Sequence, residues 1–313
     1  MEYYRSNFDF ENQLSSLNFK MAEAFNQNKL NYEFEYLYFL LNYNGVLNTP
    51  IKYDLDYLSY IQKIFNVFPR VENRPQKNYK YWWGSLEDIK LARKLNDKEF
   101  FWKFCLYKAL PYPKTIVSMN NYHELLCERI IIRRKLGFSG VGTKIILQKD
   151  LKLKEGFEIA SEYMKREMDF SLIVYQDSFS IYKTIVDDRG QFKGVQTIEC
   201  SSLLNEISCF IARIRNLEEV GEYPFQIDGF ISNRKIFFNE LNYRQTMGRV
   251  FHHLIHKYYP DKDSRLILYR YKDYLKLNKH CPDRIYLTPM TNKFKYRFGI
   301  VMEIKDINNK FRV

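Results

Sequence analysis

Between Phe237 and Gly248 the chain reads FFNELNYRQTMG, which sets a carboxylate (Glu240), a carboxamide (Asn242) and a guanidinium (Arg244) at two-residue steps behind an aromatic pair. Side chains two apart on a strand leave the same face. Upstream, YPFQIDGFIS and RKIFFNELN are two apolar runs joined at SNR, so a hairpin lets Asp228 approach Glu240 across the ladder. Two acids and an amide on one face form an all-oxygen set. Magnesium prefers that chemistry, commonly taking one or two carboxylates plus substrate phosphates. The competing reading, a solvated strand end, sits poorly with the apolar flanks. Arg244 would stabilise charge on a metal-bound phosphate, or else form a salt bridge to Glu240.

Three other stretches carry polar chemistry. In RRKLGFSGVGTK, Gly137, Ser139, Gly140 and Gly142 lie between two β-rich segments, where backbone amides can bend around a phosphate. The GxxxxGK[ST] order is absent and a strand follows, so this is no Walker loop, and a plain hairpin turn explains it equally well. In SEYMKREMDFS, Glu162 and Asp169 stand seven apart. Glu162 and the backbone beside it suit an adenine amino group, and Asp169 suits ribose hydroxyls, although residue type alone favours surface acids. In SIYKTIV, alternation leaves the face of Lys183 undecided.

The elements that must position these groups follow from periodicity. Before Arg93 the chain is dense in Tyr, Phe and Asn, and YEFEYLYFLLN and LDYLSYIQKIF have helical spacing, with no clear opening strand before Tyr32. From Tyr112 the pattern turns α/β, with strands at KTIVS, RIIIRR and KIILQ around the glycine loop. EIASEYM, DFSLIVYQD and FSIYKTIVDD read as an antiparallel meander, SSLLNEISCFIARIRNLEEVG as an amphipathic helix, and the hairpin comes next.

Composition narrows the classes. With 313 residues, 46% of them hydrophobic, the chain can bury a core spread over two or three lobes. A formal charge of +12 favours anionic partners without choosing among them. The aromatic residues follow helix and strand periods, as core residues do, so nucleic-acid binding is not expected. No apolar run approaches the ~20 residues that span a bilayer. Cys105, Cys127, Cys200, Cys209 and Cys281 show no metal or redox spacing, and the N-terminus lacks a secretory pattern, so a reduced, cytoplasmic protein is expected. His252 and His256 in FHHLIHKYY share a helical face, but no HExxH glutamate accompanies them and zinc is not expected.

Taken in order, these pieces resemble the ATP-grasp superfamily of carboxylate–amine ligases, over about Asn96 to Gly248, roughly half the chain. LNDKEFFWKFCLYKALPYPKT resembles the segment that opens the family's nucleotide domain, which implies that Lys98 reaches the nucleotide phosphates. IIIRRKLGFSGVGT resembles its phosphate strand and flexible glycine loop, with Arg133 or Arg134 where the family has lysine; Arg133 is placed there. SEYM resembles the adenine hinge, implying Glu162, Tyr163 and Met164 around the base, and Asp169 matches the ribose-binding acid. Lys183 is taken as a further cleft residue. QIDGF and NELNYR resemble the magnesium ligands, implying Asp228, Glu240 and Asn242, with Arg244 catalytic. The implied architecture is an α+β, α/β chain with an ATP-grasp fold in two gripping subdomains. It comprises a divergent N-terminal α/β lobe (1–95), the ATP-grasp domain (96–258) and a C-terminal extension (259–313). The implied activity activates a carboxylate as an acylphosphate with ATP and Mg2+ and joins it to an amine. The partners are small-molecule or peptide acids and amines, and a homodimer is left open. The alternative is an ATP-binding regulatory or scaffold protein of the same fold.

Overall fold

The computed structural model describes residues 2–10, 14, 29–41, 44–84, 89–137, 142–187, 190–198, 201–215, 217, 223–260, 262–277, 281–290 and 294–305. Three sheets organise them. The first is four-stranded and parallel, in the order β3-β2-β1-β4, from β1 (Tyr3–Arg5), β2 (Val46–Asn48), β3 (Val71–Glu72) and β4 (Lys80–Tyr81). An opening strand therefore does precede Tyr32, contrary to the expectation from sequence. It is only three residues long, too short to show alternation, and its neighbours in the sheet come from far along the chain. The helix Leu55–Phe65 packs on this lobe through Tyr57, Ile61 and Phe65, spaced four apart as one helical face requires, and ends at Asn66 in the left-handed conformation (φ 48°).

The second sheet is antiparallel, in the order β5-β8-β6-β7, from β5 (Thr115–Ile116), β6 (Arg129–Arg134), β7 (Lys144–Leu147) and β8 (Glu158–Glu162). β8 is thus not part of the meander that the sequence suggested. It closes the small sheet, and the chain crosses to the large sheet through residues 163–167.

The third sheet has eight antiparallel strands in the order β13-β12-β9-β10-β11-β14-β16-β15. These are β9 (Met168–Val174), β10 (Phe179–Val186), β11 (Phe192–Thr197), β12 (Phe225–Ser232), β13 (Lys235–Asn242), β14 (Asp263–Arg270), β15 (Arg284–Tyr286) and β16 (Phe298–Lys305). One face packs Phe170, Leu172, Ile227, Phe238 and Leu241 beneath the helices Lys98–Tyr107 and Ser201–Arg215. The other buries Ile173, Tyr182 and Val195 with Phe251 and Leu254 of the helix Met247–Tyr258. β14, β15 and β16, from the C-terminal extension 259–313 whose role the sequence did not disclose, continue this sheet from β11.

That continuation depends on a close approach at Gly194, where an added Cβ would lie 2.2 Å from the Leu266 carbonyl oxygen. Backbone cannot step aside as a side chain can. Gly194→Ala is expected to cost about 1–3 kcal/mol. An unchanged urea midpoint would contradict this register.

Candidate active site

The hairpin β12–β13 turns at Asn233 and Arg234, whose positive φ angles (48° and 60°) give the two-residue turn that matches strand twist. Ser232 then faces Lys235, and Asp228 faces Glu240 after a bulge that leaves Asn239 as the extra residue of β13. Gln226 faces Asn242, so Gln226, Asp228, Glu240 and Asn242 share one face. Asp169 and Ser171 of β9 join them, because Ser171 pairs with Asp228 and Asp169 with Phe230.

Asp228 is enclosed by donors. Its Oδ1 accepts from Ser171 Oγ (2.7 Å) and Gln226 Nε2 (2.7 Å), and its Oδ2 accepts from Asn242 Nδ2 (2.9 Å). Even so, burial first and the neighbouring Glu240 second push its carboxyl up to about 7. Glu240 goes the other way. Burial opposes its charge, but Lys98, with Arg133 and Arg166 beyond, holds it below the usual carboxylate range. Two buried acids thus face each other in register, one surrounded by neutral donors and the other by cations.

Lys98 is positioned by the helix it opens, whose start is capped by Asp97 Oδ1 accepting the N–H groups of Glu99 (2.7 Å) and Phe100 (3.4 Å). Its ammonium lies 2.8 Å from Glu240 Oε2 and donates to the carbonyl of Gly137 (2.9 Å), where the glycine loop begins. Arg133, only 5% exposed, reaches from β6 to the bulge residue, donating to the Asn239 side chain and backbone carbonyl and to Tyr112 Oη and Ser161 Oγ (each 3.2 Å). Its Nε is buried without a hydrogen-bond partner. All these hydrogen-bond partners are neutral, and the nearby anion on which the guanidinium acts is Glu240. Arg134 is exposed, and a Cβ on Gly142 (φ 82°) would meet its Nε at 2.9 Å.

Glu162, Tyr163 and Met164 line a cleft with Arg133, Ser161 and Asn239, between the small and large sheets. Its volume is about 10 Å³, room for roughly one water. Glu162 Oε1 accepts the Lys114 N–H (3.1 Å), and Asp169 is paired with Arg166 at 2.6 Å, whose guanidinium also sits 4.6 Å over the Phe230 ring. Ser139 and Gly140 lie outside the described residues.

Arg244 is brought to the site, donating to Asn242 Oδ1 (3.2 Å) and to the Gln245 carbonyl (2.9 Å), with Trp83 of the first lobe under it at 5.8 Å. Burial, then Arg249, pushes its guanidinium down to about 9, which leaves it charged at neutral pH. Lys183 is not brought in. It pairs with Phe170, so it projects from the opposite face of the sheet and is exposed. Lys183→Ala is therefore expected to leave nucleotide affinity within about twofold. A tenfold loss in calorimetry would return Lys183 to the cleft.

Residues that the sequence reading missed include Ser171, Gln226, Tyr112, Asn239 and Arg166. For the first two a signal existed, since each stands two residues from a candidate acid on the same strand. Tyr112 and Asn239 meet across the fold, and Arg166, though only three residues from Asp169, also lies over Phe230 of β12. His252 Nδ1 bonds Tyr182 Oη (2.7 Å), with the His256 ring 4.1 Å away. Among the described residues no group of three or more His, Cys, Asp or Glu could hold a metal ion. The fit for magnesium therefore rests on Asp228, Glu240 and the Asn242 amide, with other positions left to substrate oxygens, as that ion accepts.

No family model and no curated protein matches the sequence. Solved structures do match. N5-carboxyaminoimidazole synthetase from Staphylococcus aureus superposes with a TM-score of 0.60 at 13% identity, covering 88% of this chain and 92% of that one. Carboxyaminoimidazole ribonucleotide synthase from Aspergillus clavatus, complexed with ATP, gives 0.56 at 13% identity over 97% and 86% of the two chains. Biotin carboxylase from Campylobacter jejuni gives 0.55 at 10% identity over 83% and 71%. Helices packed on antiparallel sheets, with a cleft between a small sheet and a large one, define an α+β architecture. The chain has the ATP-grasp fold, as the order of its motifs implied. Among the described residues no helix is long and apolar enough to cross a membrane.

Proposed function

We propose that the protein is an ATP-dependent carboxylate–amine ligase. The observation that carries this reading is the in-register pair Asp228–Glu240, one acid starved of countercharge and the other facing Lys98, Arg133 and Arg166. Acids for a divalent ion beside cations for phosphates are what phosphoryl transfer needs. In this reading Glu162, Tyr163 and Met164 hold the base and Asp169 the ribose. Lys98, Arg133 and the loop containing Gly137, Ser139, Gly140 and Gly142 hold the phosphates, and Asp228, Glu240 and Asn242 hold magnesium. When bound, the ion neutralises phosphate charge as the γ-phosphoryl group leaves ADP.

In this reading the acceptor is a carboxylate, whose oxygen attacks the γ-phosphorus as ADP leaves to give an acylphosphate, which an amine then converts to an amide with release of phosphate. Arg244 neutralises charge on the transferring oxygens. The glycine loop covers the site so that water does not consume the acylphosphate. The structural neighbours are synthetases and a carboxylase, and one is complexed with ATP, which supports ATP as the nucleotide. The test is ADP release across a panel of acids and amines, expected only when both are present. Tight ATP binding with no ADP formed throughout would overturn the reading in favour of a nucleotide-binding regulatory or scaffold protein.

A further inference from the structure

The groups that a nucleotide and its metal would use are already paired with one another. Lys98, its side chain 9% exposed, lies 2.8 Å from Glu240 Oε2, and Arg166 lies 2.6 Å from Asp169. Backbone holds Lys98 firmly at its root, since its N–H donates to the Lys135 carbonyl (3.0 Å) and Asp97 caps its helix. Only the flexible side chain is free to redirect the ammonium. It stands between two destinations, the Glu240 carboxylate and the mouth of the glycine loop at Gly137, whose carbonyl it also bonds.

We propose that Lys98 is an internal stand-in for the divalent ion. It neutralises Glu240 while no metal is bound and moves to the nucleotide phosphates when one arrives, so that metal and nucleotide enter as a linked pair. This rests on reading Asp228 and Glu240 as the metal carboxylates. A divalent ion arriving alone must expel the ammonium from Glu240 and leave a buried cation without a countercharge. A nucleotide arriving alone draws Lys98 away and leaves Glu240 opposite Asp228, acid against acid. Arriving together, each supplies the partner that the other removes. Such coupling is reciprocal, so the metal strengthens nucleotide binding as much as the nucleotide strengthens metal binding. The same movement frees the Gly137 carbonyl, which links the exchange to the start of the glycine loop.

The experiment measures Mn2+ binding without nucleotide, at pH 8, from the electron paramagnetic resonance signal of the free ion. Lys98→Met is expected to bind Mn2+ about tenfold more tightly than wild type, whereas Lys98→Arg, which keeps the charge, stays near wild type. Lys98→Gln, neutral but polar, is run beside them and should follow Lys98→Met, which covers the case of a misfolded methionine variant. Affinity unchanged or weakened in both neutral variants, with binding lost in Asp228→Asn, overturns the stand-in role while leaving the metal site intact. Mn2+ binding by Asp228→Asn as tight as by wild type overturns the metal assignment itself, and the proposal with it.

Discussion

Glu240→Gln is expected to lower turnover at least about a thousandfold, measured as ADP release with saturating ATP, acid and amine. The amide keeps the size of the side chain and one carbonyl oxygen but removes the charge of one of two carboxylates facing each other in register. A correctly held divalent ion contributes several kcal/mol of charge stabilisation, and about 4 kcal/mol corresponds to a thousandfold in rate. The variant has a second readout. Lys98 loses the countercharge 2.8 Å away while its side chain stays 9% exposed, and leaving a buried charge unpaired costs about 3 kcal/mol. Turnover is therefore compared at a temperature where circular dichroism shows both proteins folded. Undiminished turnover would remove Glu240 from the metal site, whatever the stability result.

How much of this site the sequence disclosed is clearest at the hairpin. Two apolar runs joined at SNR were enough to place Asp228 near Glu240, although the turn is Asn-Arg and lacks the usual glycine. The exact facing was not legible. Counted back from the pair Ser232–Lys235, Asp228 would meet Asn239, and only the bulge at that residue brings Glu240 round instead. A bulge is held by what contacts it, here Arg133 from β6 and Tyr112, whose hydroxyl donates to the Asn239 carbonyl at 2.9 Å. No local pattern in RKIFFNELN announces contacts with segments so distant in the chain.

The same reason separates the other hits from the misses. RIIIRR, DFSLIV and FSIYKTIV were visible as strands because each carries enough β-branched and aromatic residues to show itself alone. YYR at the N-terminus did not, since a three-residue strand is defined by its parallel neighbours and not by its own composition. EIASE was legible as a strand but not as a member of the small sheet, because sheet membership is a property of partners. Likewise Lys98 and Arg133 could be nominated from motif order. That they converge on Glu240 and Asn239 is tertiary information.

A pH effect on stability is expected from Glu35, which sequence periodicity placed in a helix and the structure buries at 1% exposure just before the short helix Leu37–Leu40. Its Oε1 accepts hydrogen bonds from Thr49 Oγ1 (2.7 Å) and Tyr53 Oη (2.8 Å), yet burial outweighs both and pushes the carboxyl up to about 8. In the unfolded chain the same group loses its proton near pH ~4.3. Between these two values the folded state binds more protons than the unfolded one, so stability falls as pH rises. Below the lower value the group contributes no pH dependence. Across the window the loss is on the order of 4–5 kcal/mol for this one group. Glu35→Gln cannot ionise and should lack that slope. Urea unfolding of both proteins at pH 5 and pH 8 isolates the effect, because every other titrating group is common to the two. The variant is expected to gain several kcal/mol on wild type between those pH values. Parallel pH dependences would mean that Glu35 reaches water or a cation in the folded protein. A gain of the expected size would show that the first lobe holds a neutral carboxyl at pH 7, hydrogen-bonded at the C-terminal end of β2.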